Sequence, residues 1–228
     1  MGLTRGKSGL SSLAPRLAVY LVADPDLARV DLPLAVHQAL DGGCTAVQLR
    51  AKHLTDRAML ALARNIREMC RAYKTLFVVN DRLDIALACG ADGVHLGVDD
   101  LPVADARRVG QQAGRPDLII GYSPETDEQA AIAASQDVDY LGVGPVFGTA
   151  SKPDAGEAIG LETLRRRAAK TTIPVIGIGG IETRNAASVI RAGAVGVAVV
   201  GAILRTDDPR NAARALLETV SSAEAQRW

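Results

Sequence analysis

The sequence predicts an α/β fold of one domain, a (β/α)8 or TIM barrel, and three observations support this prediction. Eight short apolar runs alternate with eight amphipathic segments, over a length of chain that suits such a barrel. The runs are apolar at consecutive positions, as in parallel strands buried on both faces. A pattern of glycine, alanine, spacer, glycine and valine recurs in residues 90–97 and 193–201, on the fourth and eighth runs. An open doubly wound sheet is the alternative, and the clearly defined eighth strand argues against it.

The predicted strands and helices alternate along the chain. Strands are expected at residues 17–22, 44–50, 75–80, 90–97, 118–123, 138–144, 173–180 and 194–201, and helices at 31–40, 55–73, 82–89, 102–113, 124–136, 161–170, 182–192 and 209–222. Asp41 and two glycines end the first helix, Thr55 is a suitable N-cap for the second, and Pro102 falls in the first turn of the fourth. The glycine-rich segment after the sixth strand is too long to be only a connection.

Composition limits the classes of function. With 26 basic and 26 acidic residues and a pI near 6.8, no overall field draws the protein to nucleic acid or to a membrane surface. Aromatic residues make up only 3% of the chain, too few for base-stacking platforms. No apolar run approaches the length of roughly 20 residues that spans a membrane. The sequence leaves the oligomeric state open, a homo-oligomer included.

The cysteines and the N-terminal segment bear on where in the cell the protein is located. Cys44, Cys70 and Cys89 have no CxxC spacing and leave an odd thiol, which favours a reducing, cytoplasmic location and a role as core residues. Residues 1–16 lack the apolar core of a signal peptide and are predicted to form a flexible basic tail. The catalytic barrel is then expected to occupy residues 17–228.

Two aspartates stand after neighbouring predicted strands. Asp81 follows the third strand and Asp100 follows the fourth, so both are expected at the carboxyl rim of the barrel. Two carboxylates on one rim are a common way to hold a hard cation through oxygen. The alternative is that Asp81 caps the helix predicted at 82–89, since Asp is a preferred N-cap.

Polar residues at the end of the second strand indicate an anionic ligand. Gln48, Arg50 and Lys52 are two residues apart, so they share one face if the extended chain continues through Lys52. Buried cations without an anion would be costly, and a phosphorylated ligand would satisfy them. A network of salt bridges with Asp24 or Asp81 is the alternative.

His95 lies within the apolar fourth strand. As a lone histidine it is expected to be either a hydrogen-bonded core residue or a partner for a heterocyclic ligand. No second histidine stands at metal-ligand spacing, and His37 and His53 occupy surface positions.

Two further segments are candidates for phosphate binding. The loop 144–156 carries Thr149, Ser151 and Lys152 among glycines that let the backbone approach a ligand, although a flexible surface loop is the alternative. The GIGGI segment at 177–181 and the VVG segment at 199–201 end the seventh and eighth strands, where barrels commonly bind a phosphate.

Taken together, the segments VQLRAK, VNDRLDIALACGADGVHLGVDD, GPVFGTASKPDA, GIGGI and VVGAI resemble the thiamine-phosphate synthase family, over residues 17–203. The resemblance implies a (β/α)8-barrel transferase with Mg²⁺ as cofactor. Such an enzyme joins hydroxymethylpyrimidine diphosphate to thiazole phosphate and releases thiamine phosphate and pyrophosphate. The substrates it implies are therefore small molecules, with no nucleic acid and no membrane among the partners.

The resemblance also implies roles for individual residues. Residues implied at the aminopyrimidine are Gln48, Asn80 and His95. Residues implied around the diphosphate are Arg50, Lys52, Asn80, Ser123 and Lys152, of which Arg50, Lys52, Ser123 and Lys152 form the catalytic set. Asp81 and Asp100 are implied to hold Mg²⁺. Residues implied to receive the thiazole phosphate are Thr149, Ser151, Gly179, Val200 and Gly201.

The chain departs from the family pattern at four positions. Ala23 and Gly148 replace a threonine and a proline, Ser151 replaces a threonine, and Gly201 replaces a serine, so that a side-chain donor is lost there. Two rival functions remain open: a thiazole tautomerase of the same superfamily and a non-catalytic barrel that senses thiamine precursors. The combination of QLRAK with Asp81 and Asp100 favours the synthase.

Overall fold

The computed structural model describes residues 13–133, 136–151 and 156–227. Within them, eight parallel strands form a closed barrel in the order β1 to β8, with β8 paired to β1, which confirms the predicted (β/α)8 barrel. The strands are β1 Val19–Ala23, β2 Ala46–Leu49, β3 Leu76–Asn80, β4 Gly93–Leu96, β5 Ile119–Tyr122, β6 Tyr140–Val143, β7 Val175–Ile178 and β8 Gly196–Val199.

Helices follow the strands and cover the outside of the barrel. They are α1 Leu32–Asp41, α2 Asp56–Ala72, α3 Leu83–Cys89, α4 Val103–Gln112, α5 Asp127–Ala133, α6 Gly160–Ala169, α7 Thr183–Arg191, α8 Gly201–Leu204 and α9 Pro209–Ala225. Thr55 caps α2 as predicted, because its side chain accepts a hydrogen bond from the backbone of Ala58. None of the described helices is long and apolar enough to cross a membrane.

The core has two layers, since successive side chains of a strand point to opposite faces. Residues of one parity, such as Leu21 and Val47, pack against the helices. Residues of the other parity fill the barrel interior, among them Tyr20, Leu76 and Tyr140. Gln48 belongs to this inward set because it lies in register with Val22 of β1 and Val78 of β3.

The structure differs from the predicted elements in three places. Residues 14–17 form a 3-10 helix (Ala14–Leu17), and Leu13 and Leu17 pack inside the barrel, so residues 13–16 are not part of a loose tail. Helix α5 begins at Asp127, three residues after the predicted start. The eighth strand ends at Val199, and the next residues form the short helix α8, because the chain turns at Val200.

Candidate active site

A cavity of about 980 Å³ opens at the carboxyl ends of the strands. Every predicted site residue within the described ranges lines it: Gln48, Arg50, Lys52, Asn80, Asp81, His95, Asp100, Ser123, Thr149, Ser151, Gly179, Val200 and Gly201. Lys152 lies outside the described residues. The strands gather these residues in one place because all parallel strands of a barrel end at the same face.

A row of hydrogen bonds crosses the floor of this cavity. Nε2 of Gln48 donates to the hydroxyl oxygen of Tyr20 at 2.9 Å, and the hydroxyls of Tyr20 and Tyr140 lie 2.8 Å apart. The hydroxyl of Tyr140 lies 3.0 Å from Nδ1 of His95, and Nε2 of His95 lies 2.7 Å from Oγ of Ser123. The row thus connects the side chains of four strands to the serine that follows β5.

The amide orientation of Gln48 gives this row a direction. With the Tyr20 oxygen accepting from Gln48, we assign the Tyr20 proton to Tyr140 and the Tyr140 proton to Nδ1 of His95. Every buried hydroxyl proton then has an acceptor, as buried polar groups require. In this assignment Nε2 of His95 carries the ring proton and donates to Ser123, and the hydroxyl proton of Ser123 is free to face the cavity.

His95 therefore combines the two alternatives that the sequence left open. Its side chain is buried and hydrogen-bonded on both ring nitrogens, and it also lines the cavity. Burial lowers the pKa of His95 from 6.5 to about 4, while the negative charge of Asp100 opposes this shift. The ring is consequently neutral at neutral pH.

Two glycines make room for this arrangement. A Cβ on Gly121 would lie 2.1 Å from Cζ of Tyr140 and 2.5 Å from Nδ1 of His95. A Cβ on Gly142 would lie 3.0 Å from Oγ of Ser123 and 3.2 Å from Cε1 of His95. Glycine is thus required at 121 for the two rings to meet inside the barrel, and glycine at 142 relieves a tight approach to Ser123 and His95.

The cations after β2 are paired with carboxylates. Nη1 of Arg50 lies 2.5 Å from Oδ2 of Asp24, whose side chain is almost completely buried. Nζ of Lys52 lies 3.4 Å from Oδ2 of Asp81. The salt-bridge network that the sequence offered as an alternative is therefore present, and its two cations still line the cavity.

The amide of Asn80 makes no hydrogen bond with the described residues, so it is available to a ligand.

Asp81 does not cap α3. The residue at the N-cap position is Arg82, without a side-chain cap, and the carboxylate of Asp81 instead contacts Asp100 and Lys52. Asp81 adopts a left-handed backbone with φ of 61°, which is uncommon outside glycine and is often found where a site holds a residue in place. Burial raises the pKa of Asp81, and the hydrogen bond and charge of Asp100 raise it further.

The opposite end of the cavity is built from β6, β7 and β8. Thr149 and Ser151 come from the loop after β6, and Oγ1 of Thr149 accepts a hydrogen bond from the backbone N–H of Ser151 at 3.2 Å. Gly179 has φ of +95°, and a Cβ there would lie 2.5 Å from Cβ of Pro145. Glycine at 179 thus lets the turn after β7 approach the loop after β6.

Sequence reasoning missed three residues of the site. Tyr20 and Tyr140 read as ordinary members of apolar strands, and Arg205 stands in no motif. The alternation of side chains along a strand could have identified the two tyrosines. It places Tyr20 and Tyr140 on the inward face of their strands, where a buried hydroxyl needs a hydrogen-bond partner. Arg205 had no such signal, since it reaches the cavity from the end of α8.

The fold and the site together define a class: a (β/α)8 barrel whose carboxyl mouth holds cations, carboxylates, hydroxyls and glycine turns suited to phosphorylated small molecules. The family model for thiamine monophosphate synthase matches residues 19–203. The chain belongs to this family.

Known proteins agree with this assignment. The chain is 48% identical over 214 residues to the thiamine-phosphate synthase of Moorella thermoacetica, covering 93% of this chain and 100% of that protein. It is 47% identical over 214 residues to a bifunctional thiamine biosynthesis protein of Symbiobacterium thermophilum, of which it spans 43%. Among solved structures, thiamine phosphate pyrophosphorylase from Pyrococcus furiosus is similar with a TM-score of 0.85 and 39% identity, covering 92% of this chain and 98% of that one.

Proposed function

We propose that the protein joins hydroxymethylpyrimidine diphosphate to thiazole phosphate and releases thiamine phosphate and pyrophosphate. Membership of the family and the names of its full-length relatives support this reaction. The main structural support for the proposal is that the two ends of the cavity differ in chemistry. Arg50, Lys52 and the two aspartates lie after β2, β3 and β4, whereas hydroxyls and glycine turns follow β6, β7 and β8.

The first end suits a diphosphate. Arg50 and Lys52 are held in position by Asp24 and Asp81, and they keep further N–H donors for phosphate oxygens. Asn80 and the outward proton of Ser123 add neutral donors. Lys152 is proposed to join this group from the loop after β6. A leaving pyrophosphate would thus meet donors from several directions.

The aminopyrimidine is proposed to lie over the hydrogen-bonded floor. Gln48 uses Nε2 to hold Tyr20, so its Oε1 remains to accept a hydrogen bond from an amino group. His95 is neutral and offers an uncharged surface, which suits an electron-rich ring better than a cation would. The floor therefore orients the ring through the row of hydrogen bonds beneath it.

The second end is proposed to receive the thiazole phosphate. Thr149 and Ser151 supply hydroxyls, while the glycine at 179 and the turn at Val200 and Gly201 let backbone N–H groups approach the phosphate oxygens. This placement brings the two substrates together above His95 and Gly142, where the cavity is lined by strand residues.

The two aspartates fit a proposed Mg²⁺ site. The described residues contain no group of three or more His, Cys, Asp and Glu side chains placed to hold a metal, so the chain would supply Asp81 and Asp100 alone. That donor set suits Mg²⁺, which is usually bound by one or two carboxylates together with substrate phosphates. The contact between two partly buried carboxylates also favours a cation beside them. When bound, Mg²⁺ would neutralise charge on the diphosphate.

The reaction asks for charge stabilisation more than for proton transfer. The bond between the pyrimidine methylene carbon and a diphosphate oxygen breaks, and the thiazole nitrogen donates its electron pair to form the new bond to this carbon. We propose a dissociative displacement, in which the aminopyrimidine delocalises the positive charge while Arg50, Lys52 and Ser123 stabilise the departing pyrophosphate. No general base is needed, because the attacking nitrogen already carries its lone pair.

The same proposal places the reaction in the cytoplasm, where thiols stay reduced. The described structure contains three free cysteines, two of them buried.

The two rival functions differ from the synthase in how they would use the first end of the cavity. A tautomerase has no need for a diphosphate site, a sensor would bind the precursors without releasing pyrophosphate, and a synthase depends on both binding and release.

The test is to incubate purified protein with both substrates and Mg²⁺ and to measure thiamine phosphate and pyrophosphate together. Formation of both products in equal amounts is expected. Omission of either substrate serves as the control. Binding of the substrates without pyrophosphate release would instead indicate a sensor, and isomerisation of a thiazole carboxylate phosphate without condensation would indicate a tautomerase.

A further inference from the structure

Gly201 has no side chain beside the proposed thiazole-phosphate position, and two side chains border the point that a Cβ would occupy. A Cβ on Gly201 would lie 3.3 Å from Cδ and 3.7 Å from Nε of Arg205. The same point lies 3.7 Å from Oγ of Ser151. The guanidinium of Arg205 and the hydroxyl of Ser151 therefore converge on the space that a side chain at 201 would occupy.

Arg205 is the unpaired cation at this end of the cavity, within the part of the chain that the structure describes. Its side chain has no hydrogen bond or ion pair with any described residue, although acidic residues follow it at 207 and 208. The neighbouring Arg184 also lines the cavity, but its Nε lies 2.8 Å from Oε2 of Glu182. Arg184 is thus already paired, whereas Arg205, which is exposed, has no such partner among the described residues.

We propose that Arg205 binds the phosphate of the thiazole substrate and takes the place of a side-chain donor at position 201. The proposal rests on the proposed function and adds a specificity-determining residue to it. A guanidinium suits this position because it offers several N–H donors in one plane to phosphate oxygens. Gly201 contributes to this placement, because without a side chain at 201 the stem of Arg205 can lie against the backbone of the short helix α8.

The first experiment uses Arg205→Gln, which removes the charge and keeps a side chain of similar reach. KM for thiazole phosphate should rise about 10- to 100-fold, as expected for loss of a hydrogen bond to a charged group, while kcat at saturating substrate stays near the wild-type value. Arg214→Gln makes the same change on the exposed face of α9 and serves as the matched control. Equal KM values for Arg205→Gln and wild type would overturn the proposal.

Calorimetric titration separates this inference from the proposed reaction, because it needs no turnover. Protein held with Mg²⁺ and pyrophosphate is titrated with thiazole phosphate and with the corresponding thiazole alcohol. Arg205→Gln should weaken binding of the phosphate and leave binding of the alcohol unchanged. Equal weakening of both ligands would show that Arg205 acts only through the shape of the site. A wild-type protein that binds thiazole phosphate in this way but forms no thiamine phosphate would reject the proposed function alone.

A double-mutant cycle tests whether Arg205 and a side chain at position 201 occupy the same space beside the phosphate. In the wild type, Gly201→Ser places a Cβ 3.3 Å from Cδ of Arg205, so the arginine must shift by a few tenths of an ångström, and thiazole phosphate should bind no more tightly than before. In the Arg205→Ala background the same change should strengthen binding, since the serine hydroxyl then supplies a donor that the phosphate lacks. This dependence on the residue at 205 is the expected coupling between neighbours. The same effect of Gly201→Ser in both backgrounds would contradict the proposal.

Discussion

The hydroxyl of Tyr140 lies 3.0 Å from Nδ1 of His95, so a tyrosine on β6 holds a histidine on β4 across the interior of the barrel. Tyr140 also contacts Tyr20, and the pair connects His95 to Gln48 on the far side. The floor of the site is therefore a continuous polar row inside an apolar barrel. Its members depend on one another, because each uses a donor or an acceptor that a neighbour supplies.

The first prediction concerns Tyr140→Phe. The change removes the hydroxyl that lies 3.0 Å from Nδ1 of His95 and leaves that nitrogen buried without this partner. The free energy of unfolding should fall by about 1 to 3 kcal/mol, as measured by urea denaturation. Tyr73→Phe is the comparison, because it removes a hydroxyl that contacts Asp41 at the surface and should cost clearly less. Equal losses in the two variants would speak against a buried row that depends on Tyr140.

The second prediction follows from the lowered pKa of His95. Between pH 6.5 and about 4 the unfolded chain binds a proton at this residue and the folded protein does not. The contribution of His95 to stability is therefore complete above pH 6.5 and is lost as the pH falls toward 4. At about 1.4 kcal/mol per pH unit, the loss should reach about 3 kcal/mol relative to His95→Gln. Unfolding curves of both proteins across this range would reveal it, and parallel pH profiles would refute it.

The third prediction concerns the room that Gly121 provides. In Gly121→Ala the added methyl group would lie 2.1 Å from Cζ of Tyr140, so the strands or the ring must move. We expect a loss of about 1 to 3 kcal/mol or more in stability, typical of an overpacked core. Gly148→Ala makes the same chemical change where nothing lies within 4 Å of the new methyl group, and its stability should be equal to or slightly above wild type. Thermal denaturation of both variants measures the difference.

The fourth prediction concerns Asp81→Asn. Asparagine tolerates the left-handed backbone at this position, so the variant should fold. Loss of the charge should lower kcat by about 100-fold or more if the carboxylate contributes to stabilising the leaving group. Thiamine phosphate and pyrophosphate are measured at saturating Mg²⁺, with Asp105→Asn on α4 as the surface control. An unchanged kcat in Asp81→Asn, or a wild-type enzyme indifferent to EDTA, would exclude the proposed metal site.

The sequence was sufficient to predict the barrel and the rim of its site. Apolar runs predicted the strands, and helix-end glycines supported the fourth and the eighth, where the glycines at 90 and 193 do adopt positive φ at the ends of α3 and α7. Once eight parallel strands are assigned, the residues after each strand must meet at one face. This is why Arg50, Asp81 and Ser123, distant in sequence, could be placed in one pocket without a structure.

The remaining features depend on partners that local patterns do not specify. Tyr20 and Tyr140 meet although 120 positions separate them, and the contact requires both barrel closure and the space left by Gly121. Local sequence also left open whether Asp81 caps a helix or faces Asp100, and the N-cap preference of Asp alone favoured the cap, which the structure does not show. Periodicity determines which face of a strand is buried, whereas the identity of the partner depends on strand register and on side chains brought in from elsewhere in the chain. Tertiary structure alone therefore decided the floor of the site, the pairing of its cations and the approach of Arg205 to Gly201.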